Sequence, residues 1–135
     1  MKSPLFLSAI LTTIIVAAIE LVSFHFHLFY SIMWFDMIMH FSGGFLVAIL
    51  ALTIITYYKQ DLSYGQVLFY GILAAFVIGV LWEIYELYEG ITVWGSSSYW
   101  GDNGMDVTMD TLGGLVAVWF SYFKLRNFNM NKLTT

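Results

Sequence analysis

Four long apolar segments constrain this chain more than any other feature of its sequence. They cover residues 5–24, 37–58, 67–87 and 107–123. Each is close to the ~20 residues that an α-helix needs to cross about 30 Å of hydrocarbon. Their apolar residues are continuous rather than alternating, which favours helices over the strands of a membrane barrel. The sequence therefore predicts an all-α, integral membrane four-helix bundle, with residues 1–135 forming a single transmembrane domain.

The composition excludes an ordinary soluble domain. Hydrophobic residues make up 60% of the chain and charged residues only 10%, whereas about 25% of the residues in a typical soluble protein are charged. The chain has no cysteine, which excludes disulfides, thiolate catalysis and cysteine-ligated zinc. No basic patch indicates binding to nucleic acid, so membrane lipid is the partner that the composition predicts.

The positions of the cations predict how the helices are oriented. With four spans, the N-terminus, the connector at residues 59–66 and the C-terminus lie on the same side of the membrane. All five Lys and Arg residues fall on that side, and the positive-inside rule makes it cytoplasmic. We therefore expect a multi-pass protein of the inner (plasma) membrane with both termini in the cytoplasm. The cations are Lys2, Lys59, Lys124, Arg126 and Lys132.

Apart from Asp61 in the cytoplasmic connector, all acidic and histidine side chains map to the opposite, outer half of the predicted bundle. Three of the helices present two such groups spaced three or four residues apart, so that both lie on one helix face. Ionisable groups within a membrane usually point into the bundle, because facing lipid is costly. The pairs are Asp36 with His40, Glu83 with Glu86, and Asp106 with Asp110.

Carboxylates that converge in a low-dielectric interior cannot all remain ionised unless a cation neutralises them. Carboxylates combined with a histidine suit a hard or borderline divalent metal ion. We therefore predict a divalent-metal site, in which Asp36, His40, Glu83 and Asp110 are also the candidates for catalysis. The candidate metal ligands are Asp36, His40, Glu83, Glu86, Asp106 and Asp110.

Glycines lie beside these polar groups on each of the three helices. Small residues in membrane helices let a second helix approach closely. We interpret them as packing residues rather than ligand contacts. They are Gly43, Gly44, Gly79, Gly113 and Gly114.

The connector at residues 88–106 is predicted to be the one long loop, because its glycines are typical turn formers. Asp102 lies there, where it would extend the stripe of the two later aspartates or cap their helix. On the first helix, Glu20, Ser23 and His27 would share a face if the helix extends that far.

Three segments occur together in this chain. The first holds Phe35, Asp36 and His40, the second is Trp82-Glu83-Ile84-Tyr85-Glu86, and the third runs from Gly101-Asp102 through Asp106 and Asp110 to Gly113-Gly114. Their order and spacing resemble the YjdF-type family of bacterial inner-membrane proteins, and more loosely the VanZ-like membrane proteins. The resemblance covers residues 33–120. It implies a helical membrane protein and supports the polar site, but it implies no particular reaction.

Three functions remain open at this point. The first is a metal site that acts on a lipid-linked or envelope substrate by metal-assisted chemistry. The second is a non-enzymatic accessory membrane protein, whose buried polar groups hold the helices in register. The third, proton or cation translocation, requires a polar path to the cytoplasm, whereas the inner halves of the helices are almost wholly apolar.

Overall fold

The structure is a computed structural model that describes residues 3–32, 34–59, 61–92, 94–95 and 99–133. Four long helices and one single-turn helix occur in this part of the chain, and no strand does. The predicted all-α class is confirmed. The elements are α1 (Phe6–Phe26), α2 (Leu28–Ser31), α3 (Phe35–Tyr58), α4 (Tyr64–Glu89) and α5 (Tyr99–Leu133). Two of the predicted cytoplasmic cations, Lys2 and the side chain of Lys132, lie outside the described residues.

Three of the helices in the described ranges, α1, α3 and α4, are long and apolar enough to cross a membrane. The predicted fourth span, residues 107–123, lies inside α5, which is longer but less apolar. Two of its aspartates, Asp106 and Asp110, are buried. The lower apolar character of α5 thus goes together with buried polar side chains.

The long loop predicted at residues 88–106 is shorter in the structure, because α5 already begins at Tyr99. The Tyr99 ring is buried and packs against Trp94 and Trp100, which anchors the start of the helix. Asp102 lies in the first turn of α5, where a negative charge interacts favourably with the helix dipole. At the connector that follows α1, the helix ends at Phe26. His27 has a left-handed backbone conformation, so it does not extend the α1 face.

Helices α3, α4 and α5 pack on one another, and α1 packs along α3. Backbone contact joins α3 to α5: a Cβ at Gly44 would overlap the Asp110 carbonyl, and a Cβ at Gly113 would overlap the Phe41 carbonyl. Between α4 and α5, a Cβ at Gly114 would press on Ala75. The packing role predicted for Gly44, Gly113 and Gly114 is confirmed.

One end of the bundle joins the N-terminus to the ends of two other helices. Ser3 and Thr56 share a 2.7 Å hydrogen bond between their hydroxyls, and Lys124 donates to the Ser8 hydroxyl. These contacts place the N-terminus, the α3–α4 connector and the last part of α5 together, as the cation positions predict. An apolar cluster fills this end, formed by Leu5, Leu52, Val67, Val118 and Leu125.

The close contact of α3 with α5 gives a direct test. Gly44→Ala should destabilise the bundle by about 1–3 kcal/mol, the usual effect of overpacking a core. Gly65→Ala is the matched control, because a Cβ at Gly65 meets nothing within 4 Å. Thermal unfolding in detergent micelles measures both variants. Equal melting temperatures for the two would contradict the backbone contact.

Candidate metal centre

His40 of α3 lies at the centre of a polar cluster to which three helices contribute carboxylates. Its ring is buried, with Nδ1 lying 3.1 Å from Oδ2 of Asp110 and 3.9 Å from Oε1 of Glu83. The other ring nitrogen, Nε2, lies 3.8 Å from Oδ1 of Asp36. One edge of the imidazole therefore faces α4 and α5, and the other faces the first turn of α3.

Three residues of this cluster could hold one metal ion. One ligand atom each from Asp36, His40 and Asp106 lie within 4.8 Å of one another. Ligand atoms about 2.1 Å from a tetrahedral ion are about 3.4 Å apart, so the 3.8 Å between His40 and Asp36 is close to a coordinating distance. The Asp36 side chain is 48% exposed and can adjust, whereas Asp106 is buried.

Glu83 of α4 is the least satisfied member of the cluster. It is only 6% exposed, and neither carboxylate oxygen has a hydrogen-bond partner in the described part of the chain. A buried carboxylate without a partner costs free energy. Within the described ranges, no Lys or Arg forms an ion pair with the cluster's carboxylates. Among the described residues, the positive charge of a protonated His40 is therefore the one that can balance the negative charge of the cluster.

Two other acids at this end of the bundle are not among the three possible ligands. Glu86 accepts a 2.9 Å hydrogen bond from the Trp82 indole on its own helix, and it does not join the three possible ligands. Asp102 is exposed, so it does not extend the buried aspartate stripe.

Glu20 of α1 lies at the same end of the bundle as the cluster, as its place in the sequence predicts. It is partly buried, and its carboxylate is close enough to Asp36 for their charges to repel.

The comparison with known families agrees with this architecture. A family described as predicted membrane protein (DUF2238) matches residues 2–127. The chain belongs to this family. The YjdF-type family that the three segments resemble is the same family, so that resemblance is confirmed and the chain is a membrane protein.

No curated protein and no solved structure matches the chain. The looser similarity to VanZ-like membrane proteins finds no support in these comparisons.

The missing hydrogen bonds of the Glu83 carboxylate predict a gain in stability when it is removed. In protein stripped of metal by a chelator, Glu83→Leu should raise the free energy of unfolding by about 1–3 kcal/mol, since a buried carboxylate without a hydrogen-bond partner is replaced by an apolar side chain of similar size. Glu89→Leu is the control, because Glu89 is exposed and surface changes stay within about 0.5 kcal/mol. Thermal unfolding in micelles measures both. A lower stability for Glu83→Leu would mean that the carboxylate has a partner.

Proposed function

We propose that this protein is a multi-pass protein of the plasma (inner) membrane that binds one divalent metal ion at the outer end of its bundle. Asp36, His40 and Asp106 would be the ligands. The observation that carries this proposal is the mutual distance of their ligand atoms, all within 4.8 Å, in a cluster without Lys or Arg ion pairs among the described residues. A cation there would offset the repulsion between the carboxylates.

The donor set favours a borderline ion such as Zn²⁺ or Mn²⁺. One imidazole nitrogen and two carboxylates suit these ions, whereas Ca²⁺ and Mg²⁺ take shells made of oxygen. Three protein ligands leave a coordination position for water or substrate. An ion held in this way lowers the pKa of a bound water and polarises a phosphoryl or carbonyl oxygen.

The position of the cluster supports a lipid-linked or envelope substrate. Exposed tryptophans of the kind found at membrane interfaces lie on the same helices or directly before them: Trp34, Trp82 and Trp100. A headgroup at that level could reach the half-exposed Asp36 carboxylate. An anionic headgroup would depend on the metal for its charge partner, since the nearby acids would repel it. We therefore propose metal-assisted hydrolysis or transfer at such a headgroup.

Metal analysis tests this proposal. Wild-type protein purified without chelator should contain about one divalent ion per chain by mass spectrometry, and His40→Ala and Asp106→Asn should lose it, because each removes one of three ligands. Asp102→Asn is the matched control: it makes the same change about one turn earlier on α5, at an exposed residue, and should keep the metal.

Two results would contradict the metal site. One is wild-type protein that contains no metal and binds neither Zn²⁺ nor Mn²⁺ in a titration. The other is equal loss of metal from the Asp102 and Asp106 variants, which would indicate binding to surface acids.

One contact favours a second candidate function, that of a non-enzymatic accessory protein. The hydrogen bond between His40 and Asp110 is buried and joins α3 to α5. Its role in this second function would be purely structural, namely to hold the two helices in register. In that case His40→Ala and Asp110→Asn would lower the melting temperature, and the wild-type protein would bind no metal. Melting curves on the samples used for metal analysis separate the two functions.

The proposed orientation can be tested with single cysteines, because the chain has none of its own. A membrane-impermeant maleimide added to intact cells should label Gly101→Cys, at the outer end of α5, and leave Asp61→Cys, in the α3–α4 connector, unlabelled. Both native residues are exposed, so permeabilised cells should label both and serve as the control. The reverse pattern in intact cells would place the termini outside.

A further inference from the structure

Asp110 lies on the Nδ1 side of the His40 ring and is not one of the three possible ligands. It is 5% exposed, and its Oδ2 is 3.1 Å from Nδ1 of His40. If Nδ1–H donates to this carboxylate, the neutral ring carries its proton on Nδ1 and leaves the lone pair of Nε2 free. Nε2 is the nitrogen on the Asp36 side. A carboxylate behind a ligating histidine fixes its tautomer and its ring orientation in many metal sites.

The Asp110 carboxylate fits against α4 because Gly79 has no side chain. A Cβ at Gly79 would lie 2.6 Å from Oδ2 of Asp110, the oxygen that faces His40, and 3.0 Å from its Cγ. Any side chain at this position would therefore displace the carboxylate. On the α3 side, a Cβ at Gly44 would overlap the Asp110 backbone carbonyl. Gly44 and Gly79 therefore create the narrow space between α3 and α4 that Asp110 occupies.

We propose that Asp110 and Gly79 position His40 for metal binding: Asp110 orients the ring through its hydrogen bond, and Gly79 leaves room for that carboxylate. This inference rests on the proposed metal site and assigns Asp110 a role other than that of a ligand.

Gly71 offers a comparison on the same helix. It lies eight residues before Gly79, about two helical turns, and its face also packs against α5. A Cβ at Gly71 would overlap the Val118 side chain and touch Leu52, with no contact to the polar cluster. An alanine there would disturb the packing of α4 on α5 without reaching His40.

A double-mutant cycle on metal affinity tests the inference. Gly79→Ala should weaken Zn²⁺ binding by about 10- to 100-fold, the usual effect of losing such a supporting partner. In an Asp110→Ala background the same change should have less than about a twofold effect, because the carboxylate that it displaces is already gone. Gly71→Ala should change affinity less than about twofold in either background, although it also lowers the melting temperature. Equal, additive effects of Gly79→Ala in the two backgrounds would overturn the proposal.

A second readout needs no metal. In metal-free protein labelled with ¹⁵N-histidine and studied at a pH high enough for the ring to be neutral, the His40 ring, assigned by its absence from His40→Gln, should carry its proton on Nδ1 in the wild type and in Gly71→Ala. Asp110→Ala and Gly79→Ala should lose this preference, and Asp110→Ala supplies the test if Gly79→Ala does not fold. An unchanged tautomer in Asp110→Ala would overturn the positioning role. A wild-type protein with the expected tautomer but no affinity for metal would instead overturn the proposed function.

Discussion

The close approach of α3 to α5 is the contact on which the rest of the structure depends. In lipid, helices gain no hydrophobic advantage from association, so packing at small residues has to hold them together. Gly44 and Gly113 let the two backbones touch, and this contact also brings the His40 ring to Asp110. The polar cluster is thus a product of the same packing that stabilises the bundle.

In the polar cluster, the requirements of stability and of function conflict. Glu83 is buried without a hydrogen-bond partner in the described chain, and several carboxylates surround a single histidine. A protein selected for stability alone would replace such groups with apolar residues. Their presence at one end, while the opposite end is filled by an apolar cluster around Leu5 and Leu52, supports a role for the cluster beyond holding the fold.

The sequence predicted the helices and the end at which the polar groups lie, because apolar length and charge position act through simple rules of membrane insertion. It was wrong about residues 99–106, where exposed glycines such as Gly101 and Gly104 are accommodated in a helix. Spacing also identified the face of each helix, but it could not give the rotation of one helix relative to the next. The rotation of α5 relative to α3 determines that Asp106 lies near Asp36, whereas Asp110 lies at Nδ1 of the His40 ring.

The modest apolar character of α5 has a consequence for biosynthesis. A ribosome releases α1, α3 and α4 first, and each of them is apolar enough to enter a bilayer unaided. Helix α5 follows them in the chain and carries the buried Asp106 and Asp110, so its partition into lipid alone is less favourable than theirs. The glycine-lined surface of α3 and α4 is already present by then. The earlier helices would therefore receive α5, and the polar cluster would form only after α5 has been synthesised.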